Sequence, residues 1–172
     1  MTTRNILIAA ASAAAMFGMA TAAFASGSVS TSAPATVTVL SPTSLTKTQN
    51  MAFGSVVRPS NASANTVTLD VNDAVTIAGA GNGSIVSSTT SSAKFDFTAP
   101  AATTYTTTQG LSFLQTGLTN VGASAPVATT GALGTVPAGG IQELRYGGNF
   151  DMTSSTAAQN YTGTLSVTVN YN

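Results

Sequence analysis

The stretch Tyr161-Thr162-Gly163-Thr164-Leu165-Ser166-Val167-Thr168-Val169-Asn170-Tyr171 alternates with a period of two. Its odd positions are apolar or Gly, and its even positions are Thr, Ser or Asn. Successive side chains of a β-strand point to opposite faces, so the pattern predicts a strand with one buried and one wet face. The inward set is Leu165, Val167 and Val169. The run reaches the penultimate residue, so no strand is expected after it.

A second alternating run lies near the other end. Val29, Ala33, Ala35, Val37 and Val39 share one side, and Ser28, Ser30, Ser32, Thr36 and Thr38 share the other. Its apolar side is small, and Pro34 removes one backbone donor. Short strands are expected between the two runs, at 45–48, 51–57, 66–71, 74–77, 84–87, 94–98, 103–107 and 111–114. Hairpins are expected around Gly79–Gly83, where Asn82-Gly83 suits a tight turn, and around Gly147-Gly148 between 142–146 and 149–153. Residues 119–140, rich in Ala, Gly, Thr and Pro, read as a long loop with one short strand near Val127. No window after residue 25 carries helical periodicity. The fold class expected is all-β, a sandwich or barrel of short strands.

The N-terminus speaks for export. Arg4 precedes an uncharged apolar run from Ile6 to Ala23, and Ala23-Phe24-Ala25 places small residues where a signal peptidase cuts. Residues 1–25 are therefore expected to be a cleaved signal peptide, 26–41 an N-terminal extension and 42–172 a single β-domain. No second apolar run is long enough to span a membrane. The chain has no Cys, so its stability must come from its core alone.

Composition narrows the function. After residue 25 the charges are Lys47, Arg58, Lys94 and Arg145 against Asp70, Asp73, Asp96, Glu143 and Asp151. No basic patch exists to neutralise phosphates, so nucleic acid is not expected as a partner. A near-neutral, Thr/Ser-rich surface favours association. There is no His, and no hydroxyl has a neighbouring base, so no catalytic residue and no enzymatic role are expected. Asp70 and Asp73 offer oxygens for Ca²⁺, but their spacing completes no ligand loop. They read first as turn residues, and no metal or other cofactor is expected. Tyr105, Tyr146, Tyr161 and Tyr171 read as packing residues, and Arg58 and Arg145 as solvated cations.

Three motifs carry a resemblance: Ala35-Thr36-Val37-Thr38-Val39 followed after a bend by Met51-Ala52-Phe53-Gly54; Arg145-Tyr146-Gly147-Gly148-Asn149-Phe150; and the closing strand. Together they resemble a family of proteobacterial secreted proteins, similar in turn to spore coat protein U and to archaic chaperone–usher pilins. The resemblance implies an immunoglobulin-like β-sandwich lacking its last strand, completed by the N-terminal segment of the next subunit. It implies a periplasmic chaperone and an outer-membrane usher as partners. Such relatives carry a Cys pair, whereas this chain has Pro42-Thr43-Ser44-Leu45 at the corresponding place.

The expectation that follows is a structural subunit of an extracellular filament or surface coat, exported through the inner membrane and polymerised head to tail. Val29, Ala33, Ala35, Val37 and Val39 would be the donor strand; Leu165, Val167 and Val169 would line the acceptor groove. The alternatives are a monomer whose opening residues form a strand of its own domain, acting as a secreted adhesin or carbohydrate-binding module.

Overall fold

The computed structural model describes residues 28, 30–39, 42–87 and 89–171. The expected signal peptide and Val29 lie outside them. Residues 30–39 are exposed and belong to no strand.

Twelve strands follow: β1 (Ser44–Gln49), β2 (Ser55–Val57), β3 (Asn65–Leu69), β4 (Val75–Ala78), β5 (Ser84–Ser87), β6 (Ala93–Thr98), β7 (Tyr105–Phe113), β8 (Thr119–Ala123), β9 (Val127–Ala128), β10 (Ile141–Tyr146), β11 (Gly148–Met152) and β12 (Gly163–Tyr171). All pairings are antiparallel. One sheet has the order β1-β6-β10-β9 and another β4-β3-β11-β8; β12-β7 and β2-β5 form two-stranded ribbons. The fold is an all-β sandwich, one of the two architectures that the period-two runs allowed and the one that the resemblance implied.

Two clusters form the core, one above the other along the long strands. The first joins Ala93, Phe97, Ala99, Tyr105, Val136, Leu144 and Tyr146, with Leu165, Val167 and Val169 packed onto it. The second joins Val67, Phe150 and Met152, with Phe53, Val56 and Phe113 against it. The rings meet edge to face: Phe53 and Phe150 have centroids 5.1 Å apart, as do Phe97 and Tyr105.

Both expected hairpins are absent. Strands β10 and β11 do not pair with each other; β10 pairs with β6 and β9, and β11 with β3 and β8. The chain instead passes from one sheet to the other at Gly147. A Cβ there would lie 2.1 Å from the Leu69 carbonyl oxygen, so only Gly lets the two backbones approach so closely. Likewise β4 pairs with β3 and β5 with β2. Buried Asn65 holds the connection between them. It donates to the carbonyls of Ala78 and Gly81, and its Oδ1 accepts from the Gly83 amide.

The expected pieces at 103–107 and 111–114 are one nine-residue strand, β7. The expected loop at 119–140 contains a second strand beside the one near Val127: β8 pairs with β11 through small residues.

Candidate strand-acceptor groove

Strand β12 pairs along one side only, residue for residue with β7 from Gly163–Phe113 to Tyr171–Tyr105. Strand β1 pairs with β6. Among the described residues, the other sides of β1 and β12 have no strand partner. They flank a groove.

Two concavities lie along it, one towards each end. One, of about 350 Å³, is lined by Leu45, Phe97, Val167, Val169 and Tyr171. The other, of about 1240 Å³, is lined by residues that include Met51, Phe53, Phe95, Phe113 and Leu165. Strand β1 runs from the smaller part towards the larger, and β12 runs the opposite way. At the smaller end, the Thr43 hydroxyl donates to the Tyr171 hydroxyl at 2.8 Å. Tyr171 also lies against Phe97, with centroids 6.1 Å apart.

The structure therefore brings the predicted acceptor residues together. Leu165, Val167 and Val169 sit on one face of β12, over the first core cluster. They are only partly buried, although a core position normally excludes water from such side chains. The predicted donor residues are placed differently. Ala33, Ala35, Val37 and Val39 are exposed and unpaired by any ladder, with Val37 at 86% and Val39 at 87%.

Sequence reading missed the opposite wall: Leu45, Met51 and Phe53. The signal available was the alternation of Leu45 with polar neighbours. The run is too short to say which sheet it borders. Lys47 was also missed. It pairs with Phe95 across the ladder and lines the larger part of the groove. A charge on the inward side of an edge strand discourages indiscriminate pairing.

Several of the remaining charged groups have structural tasks. The Asp70 carboxylate accepts from the amides of Asn72 and Ala74, each at 2.8 Å, closing the turn before β4. Asp73 accepts from the amide and hydroxyl of Ser92 at 2.6 and 2.7 Å. Those two bonds, the amide first, hold its carboxyl below the usual range. Arg145 pairs with Glu143 at 2.9 Å, which lowers the Glu143 pKa. Arg58 donates to the Thr156 carbonyl. Among the described residues no three His, Cys, Asp or Glu side chains cluster as a metal would need.

Two phenols are notable in the first cluster. The hydroxyls of Tyr105 and Tyr146 are buried without a hydrogen bond of normal geometry. Burial pushes both pKa values up, outweighing the nearby Gly134 and Thr107 groups.

The family described as a domain of unknown function, DUF4402, matches residues 43–171. No curated protein and no solved structure matches.

Proposed function

The chain belongs to the DUF4402 family, and we propose that it is the structural subunit of an extracellular filament or surface coat. Each subunit lends residues 28–40 to the groove of the next. The observation that carries this reading is the groove between β1 and β12, flanked by two strands whose facing sides are unpaired among the described residues.

An open strand edge leaves backbone N–H and C=O groups without ladder partners. The groove floor leaves Leu165, Val167 and Val169 partly wet. An alternating segment relieves both at once, through ladder bonds and apolar insertion. Residues 33–39 have the required alternation and are exposed. Complete burial of a Val is worth about 1.5–3 kcal/mol, so Val37 and Val39 make the largest contribution of the segment.

The contact is heterologous: the donor segment and the groove are different surfaces. It repeats without closing and so builds a fibre. The likeness of the three sequence motifs to spore coat protein U and to archaic chaperone–usher pilins supports the same assignment. So do the signal-peptide pattern, which fits export, and the absence of His from the chain, which fits a non-catalytic role. A periplasmic chaperone and an outer-membrane usher are the partners that assignment brings with it.

Replacing Val37 and Val39 by Asp tests the proposal. Both side chains are exposed, so the domain itself should fold and be secreted. Filaments visible by negative stain, and polymers resistant to boiling detergent, should disappear. Unchanged filaments would refute strand exchange. A wild-type chain that is monomeric throughout would favour the secreted binding module instead.

A further inference from the structure

The domain has two ends, and both expose apolar side chains. Ladder registers define them. Ser44, Thr98 and Ile141 lie in one row, and Tyr171 joins that end through Phe97. Leu133 belongs to the same end, because the Tyr105 amide bonds to the carbonyl of Gly134 beside it. At the opposite end β2 pairs with β5, and the Leu114 amide bonds to the Thr162 carbonyl. In that β2–β5 ribbon Val57 stands opposite Ser84, and Val86 is the extra residue of the bulge between Ile85 and Ser87. Val86 is 66% exposed and Leu114 77%. At the first end, Leu133, Ile141 and Tyr171 are each about half exposed.

Strand exchange decides what lies at each end. A subunit's own donor segment leaves from the start of β1, at the Ser44 end. An incoming segment with Val39 at that same end would bring its whole domain to where the outgoing segment already departs. With Val39 at the β2–β5 end the two are separated. The incoming chain then runs antiparallel to β12. Residues 33–39 match β12 from Val169 to Gly163 in length, six steps against six.

The connection is short. From Val39 to Ser44 there are five steps of backbone, at most about 18 Å. The donating domain must therefore hold its Ser44 end close against the acceptor's β2–β5 end. The facing surfaces suit burial. Residues 74–93 and 97–142, which supply most of both ends, contain no charged residue. Arg58, next to Val57 and exposed, is the charged group that this contact must leave hydrated at its rim.

We infer that the filament has a second interface between copies of this chain. Val57, Val86 and Leu114 of the acceptor meet Leu133, Ile141 and Tyr171 of the subunit donating into it. This rests on the strand-exchange reading, and it adds a contact that exchange alone does not require.

The absence of Cys makes the test clean, because introduced thiols have no competitors. Three full-length double variants are compared under oxidising conditions on non-reducing gels: V37C/L165C, V37C/V169C and V86C/I141C. A covalent ladder is expected from the first and third, and none from the second. A ladder from V37C/L165C without one from V86C/I141C overturns the end-to-end contact and leaves strand exchange standing. A ladder from V37C/V169C instead reverses the strand direction and also overturns the contact. No ladder from any of the three sinks the strand-exchange reading, and this inference with it. In a second measurement, V86E should make filaments bend more under the microscope, and V86E/I141K should restore straightness. Filaments of V86E as straight as the parent's would contradict the contact.

Discussion

Asp73 shows how little of this surface is spare. It stands at a φ of 68°, a region that Asp and Asn tolerate and most side chains avoid. Its carboxylate ties the β3–β4 turn to Ser92, at the approach to β6. Asp73→Ala loses both bonds and keeps the strained backbone, so it should lower unfolding free energy by about 1–3 kcal/mol in a denaturant melt. A carboxyl depressed by folding contributes stability that is present above its unfolded pKa and lost as pH falls through the folded one. With an ordinary value of 3.8, that loss belongs below about pH 4. The acid limb of the wild-type stability curve should therefore be steeper there than that of Asp73→Ala or Asp73→Asn. Tyr146 makes the opposite case. Its hydroxyl is buried unbonded, so Tyr146→Phe should leave thermal stability equal or raise it by up to about 1 kcal/mol.

At the scale of the element, Gly147 is the most sensitive position. Gly147→Ala puts a methyl group into the Leu69 carbonyl, a backbone atom that cannot swing aside. It should cost about 3 kcal/mol or more, read by urea denaturation, since the overpacking is against main chain. The same glycine explains what the sequence concealed. Gly147-Gly148 between two apolar-rich runs has the chemistry of a hairpin. The alternation of Gln142–Tyr146 and Phe150–Met152 says only that both are strands. Period two reports which face is buried, not which strand is the neighbour. The closing run was legible because it is long and its faces are chemically distinct. Strand β8 was not, because Thr119-Asn120-Val121-Gly122-Ala123 offers one sizeable apolar side chain. Leu165, Val167 and Val169 were found for the same reason that β12 was. The opposite wall of the groove is made by short runs and a bend, where periodicity has no room to appear.

For the whole molecule, the open question the fold poses is what covers β12. Its apolar face completes the first cluster from one side and meets the groove on the other. The segment at 33–39 has complementary alternation and no ladder partner of its own among the described residues. Loss of filaments in V37D/V39D, with secretion retained, is the expected outcome at this scale. The most direct measurement uses two full-length chains, one with Ala35→Cys and the other with Val167→Cys, mixed before assembly and then oxidised. These two positions face each other in the antiparallel register, which sets Ala33 opposite Val169 and Val39 opposite Gly163. Strand exchange predicts a disulfide between one chain of each kind. A thiol pair that closes only within a single A35C/V167C chain, with no bond between the mixed chains, would contradict it.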